Sequence, residues 1–186
     1  MSFRSVGVFG SSRPQEGEPA YEEARLLGRA IAKRGARVVC GGYGGVMEAA
    51  CRGAAEQGGR SVGVIFEASR PNPRVSEAIL VRDLGERLLR LRDFSQAWIF
   101  LPHGLGTMLE LVWIGESVVK GDADPRPLVM LGKFWQSTVD AMLAEATGPS
   151  RDALARSIRW AKTPEEAVEL ALLPLPPREG RGEGRA

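Results

Sequence analysis

Short apolar runs alternate with amphipathic stretches along most of the chain, and glycine-rich turns separate several of them. The first run, SVGVFG at residues 5–10, stops at Gly10-Ser11-Ser12 and predicts a strand. From Tyr21 to Arg34, Ala24, Leu27, Ala30 and Ile31 recur at helical spacing, and Gly35 supplies the stop. RVVC at 37–40 predicts a second strand, ending in Gly41-Gly42-Tyr43-Gly44-Gly45, with a helix from Val46 to Gln57 behind it. SVGVIF at 61–66 predicts a third strand, Glu67 to Pro73 a loop, and Ala78 to Asp83 a short fourth strand. Asp83 is placed to cap a helix over Leu84 to Asp93, with Glu86 completing a capping box and Leu84, Leu88 and Leu91 on one face. AWIFL at 97–101 predicts a buried strand that runs into PHGLGT and a helix from Thr107 to Lys120. A strand at Leu128 to Leu131, a helix at Phe134 to Ala146 and a strand at Ser157 to Ala161 come next. Thr163 and Pro164 then open a last helix as N-cap and first helical residue.

Strands this apolar are covered on both faces, and their alternation with helices predicts a parallel sheet. The expected fold is α/β, a Rossmann-like doubly wound parallel sheet with helices on both faces, formed as one domain by residues 1–173. Residues 174–186, PLPPREGRGEGRA, carry no periodic apolar pattern and predict a disordered tail. With 44% hydrophobic and 26% charged residues in a chain of 186, the bulk is excluded from disorder. No apolar run reaches the roughly 18 residues of a membrane span, and the start has no secretory leader pattern. The expected location is cytoplasmic, without a membrane partner. The 25 basic and 23 acidic residues are interleaved, so no nucleic-acid partner is expected. A single histidine with Cys40 and Cys51 makes no ordinary zinc site, and no metal is expected. The two cysteines, Trp98, Trp135 and Met47 read as packing residues.

Candidate chemistry collects where strands hand over to helices. Three such places carry Gly- or Ser-rich turns: Gly10-Ser11-Ser12-Arg13, Gly41 to Gly45, and Gly104-Leu105-Gly106-Thr107. In a parallel sheet these turns share one edge, and free N–H groups at a helix start attract anions. Together they point to a phosphate-bearing ligand. Neither G-x-G-x-x-G after the first strand nor a P-loop is present, so neither a conventional NAD site nor an ATPase site is expected. Arg87 and Glu110 open helices that start from that same edge, which lets them meet over one pocket. An arginine beside a glutamate is expected to keep the carboxylate ionised.

Pro102-His103-Gly104-Leu105-Gly106-Thr107-Met108-Leu109-Glu110 resembles the P-G-G-x-G-T-x-x-E motif of the LOG (LONELY GUY) family of phosphoribohydrolases. Gly41-Gly42-Tyr43-Gly44-Gly45-Val46-Met47 is similar to that family's G-G-x-x-G-[LV]-M turn, and Gly10-Ser11-Ser12 to its opening G-S-S. The resemblance implies hydrolysis of the N-glycosidic bond of a nucleoside 5′-monophosphate, a cytokinin riboside monophosphate or an AMP-like one, to free base and ribose 5-phosphate. It implies Arg87 and Glu110 as catalytic residues. Gly104, Gly106 and Thr107 would take the phosphate, with Gly10, Ser11, Ser12, Gly41, Gly42, Gly44 and Gly45 around the rest. His103 stands where the motif has glycine and is a candidate phosphate ligand. The segment LGERL at 84–88 keeps the family's arginine but not its Met, His and Lys, and Leu109 and Glu48 also depart from the plant-type pattern.

The resemblance implies a homodimer as well. The helix carrying Met108, Leu111, Trp113, Ile114 and Val118 is apolar nearly all round, so burial within the fold or by a partner is expected. The lysines at 33, 120, 133 and 162 are not placed over the pocket, so the lysine-decarboxylase chemistry once attached to such sequences is not expected, and no cofactor is implied. A non-catalytic nucleotide or molybdenum-cofactor carrier on the same broad fold is the alternative. A nucleotide-sensing or DNA-processing module stands third, on fold analogy alone.

Overall fold

The computed structural model describes residues 4–176. In chain order it contains β1 (Ser5–Phe9), α1 (Pro19–Lys33), β2 (Arg37–Cys40), α2 (Val46–Glu56), β3 (Ser61–Phe66), β4 (Glu77–Val81) and α3 (Leu84–Asp93). These are followed by β5 (Ala97–Phe100), α4 (Leu105–Lys120), β6 (Leu128–Leu131), α5 (Gln136–Glu145), α6 (Gly148–Ser157), β7 (Ile158–Ala161) and α7 (Pro164–Leu172). The expected tail lies outside the described residues from 177 onward.

All seven strands are parallel and lie in the order β4-β3-β2-β1-β5-β6-β7. The chain therefore builds outward from β1 to β4, returns through α3, and restarts beside β1 with β5. That reversal opens a crevice between the carboxyl ends of β1 and β5, the place where open α/β sheets bind ligands. Phe9 and Phe100 are register partners at its floor, with rings stacked 5.0 Å apart.

Side-chain alternation along the strands divides the interior into two cores. On one face Val6, Val8, Ile99 and Leu101 pack with α1, α2 and α7 residues such as Leu27, Ala50 and Val168. On the other, Phe9, Trp98, Phe100 and Met130 pack with Leu91, Leu111, Ile114 and Trp135. Helices α1 and α2 touch through their backbones: a Cβ on Gly28 would stand 2.0 Å from the Ala50 carbonyl oxygen, and one on Gly53 would stand 1.9 Å from that of Arg25. Glycine is the residue that lets two helices come this close.

Four sequence expectations need correction. Strand β4 is not covered on both faces: it is an edge strand paired only with β3, and Leu80 is 57% exposed. Leu84 does not join Leu88 and Leu91 in the core, because it is the first residue of α3 and remains exposed. The Asp83 cap forms, with the Glu86 N–H donating to Asp83 Oδ1 at 2.9 Å, but the Glu86 carboxylate accepts from the Arg82 N–H, one residue earlier than in a capping box. Helix α6 was absent from the expected elements; its buried face is only Ala153, Leu154 and Ser157, too sparse for a periodic signal.

Candidate functional site

A cavity of about 760 Å³ occupies the β1–β5 crevice. Its walls come from the β1–α1 turn, the β2–α2 turn, α3, and the β5–α4 turn with the start of α4. Gly10, Ser11, Ser12, Arg87, His103, Gly104, Gly106, Thr107 and Glu110 all line it. Gly41, Gly42, Gly44 and Gly45 do not; from that turn the lining residues are Tyr43 and, one helical turn on, Met47. The glycines support the wall from behind. A Cβ on Gly41 would stand 2.0 Å from Arg87 Nη2, and one on Gly45, where φ is +67°, would stand 2.5 Å from the Ser11 carbonyl oxygen.

Arg87 and Glu110 meet at the bottom. Arg87 Nη1 donates to Glu110 Oε1 at 3.3 Å, and Arg87 Nε donates to the Val64 carbonyl at 3.2 Å. The guanidinium lies over the Tyr43 and Phe66 rings, 5.5 and 5.8 Å from their centroids. Only 9% of Arg87 and 7% of Glu110 remain exposed. Burial pushes the Glu110 carboxyl up to about 7, against the pull of Arg87, which acts downward. Arg87 acts in the expected direction but only in part: one contact at 3.3 Å does not fully offset the loss of water around the charge. A carboxyl with this affinity for protons exchanges one near neutrality, which suits general acid or base work.

Above the pair, α4 begins at Gly104 without a side-chain cap, so its first N–H groups have no partner within the helix. Thr107 in that turn is 2% exposed and lines the cavity. His103 has φ +69°, a left-handed conformation that costs a residue with a side chain about 1 kcal/mol. Its ring is held 4.2 Å from that of Phe134, which meets Trp135 edge-on at 4.8 Å. Trp135 is anchored in the core by its Nε1 donating to the Leu101 carbonyl at 2.9 Å. Opposite, Ser11 Oγ accepts from the Arg13 N–H and the Ser11 carbonyl from the Val46 N–H, tying the β1–α1 turn to the start of α2.

Sequence reasoning missed Pro14, Glu18 and Ala20 as lining residues, whereas Arg13 and Leu105, within the turns it singled out, do line the cavity. Met47, read as packing, is buried and also faces the cavity. Cys40 and Cys51, unrelated by any sequence motif, bring their Sγ atoms within 3.5 Å beneath the β2–α2 turn. The contact with Cys51, and burial, push the Cys40 thiol well up.

The fold and cavity define a Rossmann-like protein with a cavity at its topological switch point. The SLOG cluster4 family profile matches residues 3–120, and the chain belongs to that family. It is 34% identical over 113 residues to a cytokinin riboside 5′-monophosphate phosphoribohydrolase of Rhodococcoides fascians, a match spanning 58% of this chain and 57% of that protein. It is 32% identical over 108 residues to the pyrimidine/purine nucleotide 5′-monophosphate nucleosidase of Escherichia coli K12, covering 52% of this chain and 24% of the relative. The molybdenum cofactor binding protein of Rippkaea orientalis superposes with a TM-score of 0.71 at 24% identity, covering 91% of this chain and 96% of that one. At that identity the likeness establishes the fold.

Proposed function

We propose that the protein hydrolyses the N-glycosidic bond of a nucleoside 5′-monophosphate, releasing free base and ribose 5-phosphate. The observation that carries this reading is the buried Arg87–Glu110 pair beneath the uncapped start of α4 in one cavity. The Gly104–Thr107 turn takes the 5′-phosphate through backbone N–H groups and the Thr107 hydroxyl, with His103 beside it. As C1′–N breaks, positive charge grows on the ribose, and the Glu110 carboxylate stabilises it while holding the attacking water. Water gives its hydroxyl to C1′ and its proton to the departing base. Arg87 orients Glu110, and Gly10, Ser11 and Ser12 close the opposite wall. The relatives named for such reactions support this assignment, although each match spans only part of their length.

Release of ribose 5-phosphate from a panel containing AMP and an N6-prenylated AMP tests the reading. Turnover of at least one member is expected, and the panel ranks the base. The second reading is a non-catalytic carrier of a phosphate-bearing ligand, which the same fold and cavity could equally hold. No release from any member, with thermal stabilisation by a phosphate-bearing pterin, would replace hydrolysis by carriage.

The proposal includes a homodimer. Helix α4 is not covered all round within the chain: Leu105 is 85% exposed, Met108 41% and Val112 42%. These positions fall on one stripe, and a second copy of the chain would cover it. Light scattering at micromolar concentration is expected to give twice the 20.1 kDa chain mass, and a monomeric mass would refute the dimer.

A further inference from the structure

The β2–α2 turn that forms the cavity wall is held from outside by a residue that touches neither the cavity nor the charged pair. Asn72 lies in the connection between β3 and β4, and 9% of it is exposed. Its Nδ2 donates to the Gly42 carbonyl at 3.1 Å and to the Tyr43 carbonyl at 2.8 Å, and its own N–H donates to Gly42 at 2.8 Å. The Asn72 Oδ1 accepts from the Arg74 N–H at 2.9 Å, which fixes the amide and aims both donors at the turn. The side chain is thus fully used in strapping this loop to its neighbour.

What the strap holds is Tyr43. Its hydroxyl accepts from the Phe66 N–H at 3.3 Å, so the ring is pinned at both ends, by its carbonyl and by its hydroxyl. The pinned ring and Phe66 form the aromatic surface on which the Arg87 guanidinium rests, with Gly41 leaving the space behind it. Arg87 has one carboxylate contact and one carbonyl contact, from Nε to Val64, so these walls share in setting its aim at Glu110.

We infer that Asn72 is a positioning residue for the Arg87–Glu110 pair, acting through Tyr43. The inference rests on the proposed hydrolysis only for its effect on turnover; the strap itself is a statement about where Arg87 stands. Releasing Tyr43 lets Arg87 drift, and Arg87 is the charge that acts against burial at Glu110. Arg13, Glu18 and His103 are the other charged or titratable groups lining the cavity beside the pair and Tyr43, and none touches Tyr43 or Asn72 by hydrogen bond or ion pair among the described residues.

The test is the proton titration of the Glu110 carboxyl, followed by NMR in protein carrying 13C at the glutamate carboxyls. Its signal is the one missing from Glu110→Gln. In Asn72→Ala and in Tyr43→Leu the midpoint is expected to rise by about half a pH unit or more, while Tyr43→Phe, which keeps the ring and its carbonyl tie but loses the hydroxyl pin, rises by less. In turnover, kcat is expected to fall more than KM rises in the two disrupting variants. A folded Asn72→Ala or Tyr43→Leu whose midpoint matches wild type overturns the inference. Tyr43→Leu tests the ring's hold on Arg87, and Asn72→Ser, which loses both amide donors but keeps a polar side chain in the connection, decides for Asn72 if Asn72→Ala does not fold. The titration needs no turnover: a moved midpoint in a protein that hydrolyses no nucleotide would sink the proposed reaction and leave the strap standing.

Discussion

Glu110→Gln is expected to lower the hydrolysis of nucleoside monophosphates by about a hundred- to a thousandfold while leaving their binding within a few fold. The size follows from the place of the residue. A fixed charge opposite the developing ribose cation acts in a site from which water is largely excluded, where such groups contribute on the order of 3–4 kcal/mol. The substitution keeps the shape and one oxygen for Arg87 Nη1, so ground-state contacts to phosphate at the start of α4 are untouched. Binding is read by calorimetry with AMP, and turnover by release of ribose 5-phosphate. Wild-type rates in the variant would remove Glu110 from the mechanism. Lost binding together with lost turnover would make it a structural support.

The same carboxyl makes stability depend on pH, with a definite sign. Burial raises Glu110 from its ordinary 4.5 to about 7 in the folded protein. The folded state therefore holds this proton more tightly than the unfolded chain does. Its contribution is fully present below pH 4.5, is lost as pH rises toward 7, and is gone above that. A difference of this size corresponds to about 3 kcal/mol. Unfolding free energies of wild type and Glu110→Gln, measured in denaturant between pH 4 and 8, isolate the effect, because all other titrating groups are common to both. Wild type is expected to lose about 3 kcal/mol relative to the variant across that window. A constant difference would mean that Glu110 ionises as an ordinary surface carboxylate.

The two predictions depend on something the sequence could only half disclose. That Arg87 and Glu110 start helices from one sheet edge followed from the order of strands and helices. Whether Arg87 or burial governs the carboxyl did not, because burial depends on how Val64, Phe66 and Tyr43 close around the pair. Strands such as RVVC and AWIFL were legible because short apolar runs bounded by glycine, proline or polar residues have few other readings. Edge strand β4 has a similar composition, and only the pairing order assigns it an open side. Helix α6 and the Asn72 strap were invisible for another reason: each works through a few contacts that leave no period along the chain. The Gly41–Gly45 turn carried a misleading signal, since glycines that make room for a side chain have the same spelling as glycines that make room for a ligand.

The return of the chain through α3 also has a consequence for how the protein is made. Strands β1 to β4 join nearest neighbours, so they can assemble while the rest of the chain is still emerging from the ribosome. The pairing of Val6 with Ala97 cannot form until the second half arrives, and Arg87 meets Glu110 across that join. The cavity therefore cannot exist until the chain has been extended at least through Glu110 and β5 has docked beside β1. A ligand bound in it recognises only chains whose two halves have already docked, and so acts as a late fastener of the folded state.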